Sequence, residues 1–304
     1  MPHSTQAISD DSPTAHWPKL SIITPSFNQG EFLEQCIESV LSQNYPNLEY
    51  LILDGGSTDQ SPQIIDRRRQ HLTWAISEKD GGQSDAINKG ISRATGDLVA
   101  WLNADDFYLP GALHTIAQTY RRQPGGSFYF GDGLRVDRQG KSIAGFFPGG
   151  RVCFNRPALL MGLNFILQPS TFMDRKMLLQ AGMLDGSLHW GMDSDLWMRL
   201  SALAPPVPIV AQLSASREYA DTKTSTGLFV RIEELRQIAE KHAGAPITPG
   251  VLCYFLDTLH KLTRERPDLY PAAYRADIER FWAATAALMG QFGAGNDGFP
   301  LHNE

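Results

Sequence analysis

From Lys19 onward the apolar positions switch repeatedly between two spacings. KLSIIT is a short β-branched run, and EFLEQCIESVLSQ sets Phe32, Leu33, Cys36, Ile37, Val40 and Leu41 at helical spacing. LEYLILD, LTWAISE and DLVAWLN read as further strands. SPQIIDRRRQ, with Pro62 in its first turn, QSDAINKGISRA and LPGALHTIAQTYRRQ read as the intervening and following helices. Strand–helix alternation of this kind predicts a largely parallel sheet covered by helices on both faces. Past about Gly125 the pattern changes. SFYFGDGLRVDRQGKSIAGFF has Gly-containing turns between short strands, as antiparallel hairpins do. A Pro-bounded stretch, ILQPSTF, then leads to helices at RKMLLQAG and at MDSDLWMRLSALA, the latter stopping before Pro205. From about Thr226 the chain reads as helical: Leu228, Phe229, Ile232, Leu235, Ile238 and Ala239 form one stripe closed by Gly244. VLCYFLDTLHKL and AYRADIERFWAATAALMG are two more helices. The expected layout is a flexible tail over 1–18, an α/β half over 19–125, a second half of the same domain over 126–225, and a helical extension over 226–304.

Composition narrows what such a chain can do. Its 304 residues are 42% hydrophobic and 20% charged, enough for a full-sized core. With 27 basic against 33 acidic residues the net charge is −6, which argues against a nucleic-acid partner, since phosphates require a basic face. No apolar run approaches the roughly 18 residues of a spanning helix, and the opening MPHSTQAISDDSPTAHWP lacks an apolar signal-peptide core. Cys36, Cys153 and Cys253 are far apart and odd in number, which suits a reducing compartment, so a cytoplasmic location is expected. The histidines lie singly, without zinc-ligand spacing.

Ligands of open α/β sheets bind beyond the carboxyl ends of the strands. Here the strand ends read TPSFNQG, DGGSTD, SEKDGGQSD and NADD, each carrying acidic, amide, hydroxyl or glycine residues. TPSFNQG has one glycine and so is no dinucleotide fingerprint, and no P-loop is present. The rim is acidic instead. Asp54, Asp59, Asp80, Asp85, Asp105 and Asp106 would repel a bare phosphate, and a divalent cation bridging carboxylates to phosphate oxygens removes that conflict. A metal-bound nucleotide diphosphate is the ligand that makes this acidity useful.

The stretch from Ser21 to about Arg199 resembles a family 2 inverting glycosyltransferase of the GT-A fold. The matching pieces are ITPSFNQGEFLEQCIESVLSQNYPNLEYLILDGGSTD, DGGQSDAINKGISRATGDLVAWLNADD, LQPSTF and HWGMDSDLWMRL, in the family's order. The resemblance implies an α/β, Rossmann-like mixed sheet flanked by helices. It makes 19–125 the nucleotide-sugar-binding half and 126–225 the acceptor-side half, while the C-terminal extension falls outside it.

By position, Thr24, Pro25 and Ser26 resemble the family's first nucleotide-contacting turn, and Asp54 the carboxylate that accepts from the base imide. Gly55 and Gly56 would let the chain turn tightly after it. Asp85 is similar to the polar residue near the ribose or donor sugar. Ser57 and Asp59 are explained equally well as helix caps. Asn103, Ala104 and Asp105 stand where the family has Asp-x-Asp, which makes Asp105 the expected ligand of Mn²⁺ or Mg²⁺. Asn103 is a departure, an amide where the family often has a carboxylate. Asp193 aligns with the family's catalytic base, Asp195 is the second choice, and Met192 stands where Glu is common. Acids in a first helical turn are also ordinary. Gln168 and Trp190 are expected on the acceptor side, with Trp197 in the core. Arg217 and Lys223 are candidate diphosphate neutralisers in the loop SREYADTKTSTG, where Tyr219 occupies the family's His position. That loop's weak structural signals suit a lid over the donor.

The expected reaction is transfer of a sugar from a nucleotide-diphosphate donor, a UDP-sugar by preference, to a hydroxyl of a glycan or lipid-linked oligosaccharide in polysaccharide biosynthesis. Two other readings stay open. A degenerate, non-catalytic nucleotide-sugar- or partner-binding protein is motivated by Asn103, Met192 and Tyr219. A sugar nucleotidyltransferase would require a Gly-rich basic loop after the first strand, which TPSFNQG is not. The terminal helices, with Tyr254, Phe281 and Trp282 on apolar stripes, leave homodimer formation and peripheral contact with the inner face of a membrane open as well.

Overall fold

The computed structural model describes residues 17–147, 152–219, 223 and 227–293. Most of the expected tail, and residues 220–222 and 224–226 of the expected lid, lie outside this set. The first half is built as the alternation predicts, from strands β1 (Leu20–Ser26), β2 (Leu48–Asp54), β3 (Trp74–Ser77) and β4 (Leu98–Trp101). Between and after them run helices α1 (Gly30–Leu41), α2 (Ser61–Arg68), α3 (Gln83–Arg93) and α4 (Ala112–Arg122). The second half adds β5 (Phe107–Tyr108), β6 (Phe128–Val136), β7 (Ser142–Gly145), β8 (Thr171–Asp174) and β9 (Val207–Arg217). Its helices are α5 (Arg156–Leu160), α6 (Arg175–Gln180) and α7 (Met192–Leu203). Three helices follow: α8 (Leu228–Ala243), α9 (Pro249–Glu265) and α10 (Ala272–Gly293).

All nine strands join one sheet in the order β3-β2-β1-β4-β8-β6-β9-β5, with β7 paired to β6. Pairings among β1 to β4 are parallel, whereas β8 runs antiparallel to both β4 and β6, and β5 antiparallel to β9. The sheet is therefore mixed rather than largely parallel, and antiparallel pairing begins where the Gly-containing turns replace the crossover helices. β9 is an 11-residue strand that the sequence reading left unassigned. It opens after Pro205-Pro206 and carries Pro208, and proline normally demotes a run from strand to loop. The structure accommodates it with register shifts against β6.

β1 is buried along its full length, as expected of an interior strand covered on both faces. Alternate residues feed two cores. Ile23, Leu51, Leu53, Val99 and Trp101 pack with α3 and α7, while Leu20, Ile22, Ile52, Leu98 and Ala100 pack with α1 and α4. Two close contacts fix the helices that matter for function. Trp197 of α7 stacks on Trp101 of β4 at 5.6 Å between centroids, so it is core as expected. Gly90 brings α3 so near β1 that a Cβ there would stand 2.6 Å from Ile23 Cγ2. Among the described residues no helix is long and apolar enough to cross a membrane.

Candidate active site

The carboxyl ends of β1 to β4 line one edge of the sheet, and the order β2-β1-β4 puts the switch in strand order beside β1. A cavity of about 560 Å³ opens there. Pro25 and Ser26 from β1 line it, as do Gly55, Asp80, Gln83, Asn103, Ala104, Asp105, Arg217 and Lys223. The Ser26 hydroxyl is buried on this wall with no hydrogen-bond partner among the described residues. Thr24 sits one layer deeper, its hydroxyl 3.1 Å from that of Tyr50, and does not line the cavity.

Like Thr24, the expected donor contacts Asp54, Gly56 and Asp85 do not line the cavity. Asp54 is fully committed to the turn: it accepts from Ser57 N at 2.9 Å, Ser57 Oγ at 2.5 Å and Ser77 Oγ at 2.6 Å. The register that sets Asp54 opposite both Ser26 and Ser77 explains this, since a buried carboxylate between two strand ends takes the nearest donors. Gly56, at φ +80°, supplies the tight turn but is not part of the cavity wall. Asp85, in the first turn of α3, caps Gly81 N at 2.9 Å and pairs with Lys89 at 3.0 Å, outside the cavity. Asp59 is likewise a cap, accepting from Gly30 N at 2.8 Å and Ser61 N at 2.9 Å. The carboxylate that does reach the cavity beside the end of β2 is Asp80, and Gly55 makes room for it: a Cβ there would lie 3.0 Å from Asp80 Oδ2.

The Asn-Ala-Asp segment after β4 is the hub. Asn103 accepts from Gln83 Nε2 at 2.8 Å and donates to Gln168 Oε1 at 3.2 Å and Asp106 Oδ2 at 3.3 Å. An amide can donate and accept at once, which a carboxylate cannot, so the departure at this position ties the two halves of the sheet together. Asp105 accepts from the Tyr219 hydroxyl at 2.9 Å, and burial raises its carboxyl above the usual range against the opposing pull of Tyr219 and Arg217. Asp106 lies deeper. Burial first, and the Asp105 charge second, push its carboxyl well above the usual range. Arg217 donates to the Asp105 carbonyl at 2.9 Å and contacts Gln35, with its guanidinium 4.8 Å from the Phe32 ring centre. Lys223 donates to Gln83 Oε1 at 2.7 Å.

A second cavity, of about 300 Å³, adjoins the first and shares Gln83, Asn103, Asp106, Ser216 and Lys223 with it. Gln168, Trp190 and Asp193 line it, together with Arg231, Leu235 and Tyr254 from the C-terminal helices. Gln168 donates to the Trp101 carbonyl at 2.8 Å, so it is held from both sides. Asp193 keeps partial exposure toward the cavity and accepts from Ser194 N at 2.7 Å. Desolvation raises its carboxyl above the ordinary range, opposed by the Arg231 and Lys223 charges. Asp195 differs in every respect. It is fully buried, lines neither cavity, and accepts from Arg199 Nε at 2.8 Å, Lys241 Nζ at 2.8 Å and His242 Nε2 at 2.7 Å. Those donors hold its carboxyl well below the usual range despite burial. The second-choice base is thus a helix-to-helix tie.

The structure also brings in residues that strand-end reasoning did not single out. Gln83 and Asp80 were legible only as rim residues, because choosing among them requires the sheet order. His189, which opens the matching piece HWGMDSDLWMRL but was given no role there, joins the first cavity from the loop before α7.

Comparison with known proteins agrees with this geometry. Residues 21–176 match the family model described as glycosyl transferase family 2, just over half of the 304 residues. The chain belongs to glycosyl transferase family 2. A relative named O-antigen biosynthesis protein RfbC, from Myxococcus xanthus, is 29% identical over 249 residues, covering 76% of this chain and 19% of that protein. The chain spans about a third or less of the lengths of the curated relatives it matches first. Among solved structures, S. aureus TarS in complex with UDP-GlcNAc superposes with a TM-score of 0.61 at 16% identity, over 89% of this chain and 80% of that one. The mannosyltransferase PcManGT from Pyrobaculum calidifontis, with GDP-Man and Mn²⁺, gives 0.56 at 17% identity over 92% and 86%. The fold is GT-A.

Proposed function

We propose that the chain is an inverting glycosyltransferase that moves a sugar from a nucleotide-diphosphate donor to a hydroxyl of a glycan or lipid-linked oligosaccharide in polysaccharide assembly. The observation that carries this is the pair of adjoining cavities, with Asp105 on one side, Asp193 on the other and Lys223 between. A UDP-sugar is the preferred donor, supported by the UDP-GlcNAc complex of the TarS structure. The nucleoside lies against Pro25, Ser26 and Asp80, and its diphosphate reaches toward Ala104 and Asp105.

Among the described residues no group of three or more His, Cys, Asp or Glu side chains converges. Asp105 fits an ion shared with the ligand: it is a half-buried carboxylate on the cavity wall whose ionised form has lost hydration. Mn²⁺ or Mg²⁺ held by Asp105 and diphosphate oxygens would stabilise the negative charge that grows on the leaving phosphate. Lys223 adds a positive charge where the cavities meet, and Arg217 braces the Asp105 backbone from behind. On the opposite side Asp193 takes the proton of the acceptor hydroxyl as its oxygen forms the new bond to the anomeric carbon, inverting that centre. The raised affinity of Asp193 for a proton suits this step, because a base works best with a pKa nearer the operating pH.

The test is thermal stability against UDP, GDP, dTDP and CDP, with and without Mn²⁺. A ligand at about 100 times its dissociation constant adds roughly 2.7 kcal/mol. Stabilisation by one diphosphate that requires metal and is lost in Asp105→Ala is the expected result. A midpoint that no nucleotide moves would overturn the donor site and leave the non-catalytic reading.

A further inference from the structure

The loop that leads into α7 is held by a side chain from outside the region that matches the family. Glu234, on α8, accepts from three successive backbone amides: His189 N at 2.6 Å through Oε2, and Trp190 N at 2.6 Å and Gly191 N at 2.5 Å through Oε1. These are charge-assisted bonds to donors at a helix N-terminus, where a negative charge is favoured. The fit around the loop is close. A Cβ at Gly191 would stand 2.4 Å from Ile238 Cδ1, and one at Gly227 would stand 2.5 Å from Trp190 Nε1. Two turns further along α8, Lys241 and His242 bind Asp195. One helix therefore grips α7 on both flanks of Asp193, before it through residues 189–191 and after it through Asp195. The same helix puts Arg231 and Leu235 into the wall of the second cavity.

We propose that Glu234 is a positioning residue for the transfer reaction: its carboxylate fixes the 189–191 backbone and so sets where Asp193 and Trp190 stand against the acceptor. The proposal rests on the transferase reading with Asp193 as base. Among the described residues Glu234 hydrogen-bonds to the first cavity's wall only at His189 and reaches Lys223 through its charge alone, so its effect is expected chiefly on turnover. Glu234→Gln keeps the size but removes the charge and one acceptor oxygen. Glu234→Asp keeps the charge but draws the carboxylate back by a methylene.

The experiment measures nucleoside diphosphate released from UDP-GlcNAc, UDP-glucose and GDP-mannose, with water as acceptor, using whichever donor the wild-type protein turns over fastest. Expected for Glu234→Gln is a fall in kcat of about tenfold or more with KM for the donor unchanged within twofold, and a smaller fall for Glu234→Asp. In an Asp193→Asn background Glu234→Gln should then add almost nothing, because the group being positioned is gone. A purely structural role would lower the rate by the same factor in both backgrounds, and that result overturns the proposal, as does wild-type kcat in Glu234→Gln. Should Glu234→Gln fail to fold, the same cycle with Glu234→Asp decides the matter. Absence of turnover in the wild-type protein would overturn the transferase reading itself and the positioning role with it.

Discussion

Asp193 and Asp195 lie two residues apart in one helical turn, yet their surroundings push them in opposite directions, and this predicts opposite phenotypes for the same substitution. Asp195→Asn removes a fully buried charge from Arg199, Lys241 and His242. Breaking such a cluster costs roughly 3–5 kcal/mol, and the lower edge applies here because Lys241 is 49% exposed and can turn to water. At about 2 °C per kcal/mol for a domain of this size, the unfolding midpoint should fall by about 6 °C. Asp193→Asn removes a carboxylate whose ionised form is already penalised by burial. Its midpoint should hold or rise, while turnover falls by about 10²–10⁴-fold with loss of the base. The pH dependence follows the same division. The Asp195 pKa is lowered in the folded state, so its stabilisation is complete above the unfolded carboxylate value of about 3.9 and is lost as pH falls through the folded value. The Asp193 pKa is raised, so ionising it weakens the fold as pH rises through the interval between its unfolded and folded values. Differential scanning calorimetry from pH 3 to pH 8, beside a turnover assay, reads the onset of the Asp195 loss at the acid end and the Asp193 trend above it. A midpoint loss in Asp193→Asn equal to that in Asp195→Asn, with turnover retained, would refute the assignment of base and tie.

Other substitutions separate cavity from scaffold. Asp80→Ala should cut nucleotide-induced stabilisation by half or more, while the ligand-free midpoint falls only by the loss of one exposed bond from Gly82 N. Asp54→Ala should lower that midpoint by about 2 kcal/mol equivalent, through the loss of three buried hydrogen bonds, while leaving the order of preference among nucleotides intact. Gly90→Ala would ordinarily favour a helix by about 1 kcal/mol, but the 2.6 Å approach to Ile23 turns the sign, giving a net loss of about 1–2 kcal/mol in urea unfolding. The double variant Gly90→Ala, Ile23→Ala, which removes Cγ2, should lose less than the sum of the two single variants.

The parallel half was legible because each of its strands is a compact β-branched run and each helix is amphipathic at the right period. β9 was not, since Pro208 within the run speaks against a strand and only the pairing with β6 overrules it. At the site, position along the chain identified the rim but not the direction in which each rim residue points. Asp54 and Asp80 both follow a strand. Which of them lines the cavity depends on register: Asp54 is set between Ser26 and Ser77 and spends its oxygens on the turn, whereas Asp80 lies one loop further out against Gly55. Spacing alone did not separate Asp193 from Asp195, and only the resemblance ranked the first above the second. Helical phase puts one toward the cavity and the other toward α8, and the partners that reveal this, Lys241 and His242, are more than forty residues away along the chain.

That distance also divides the site along the chain. The family match ends at residue 176, in α6 just after β8, and the helix with Asp193, the end of β9 with Arg217 and the helices behind them come later. The wall of the first cavity combines strand-end turns with Gln83, Arg217, Tyr219 and Lys223. The acceptor-side wall is assembled from Arg231, Leu235 and Tyr254, with the Arg231 guanidinium 4.5 Å above the Tyr254 ring, and from Trp190 on the loop that Glu234 holds. A pocket discriminates between acceptors through such bulky and charged groups, since each unmatched polar contact or misplaced methylene is worth only a few kcal/mol and several must act together. On the transferase reading, then, α8 and α9 wall the acceptor side of the site, and replacing Arg231, Leu235 or Tyr254 should change acceptor use while leaving the nucleotide preference where the first cavity sets it.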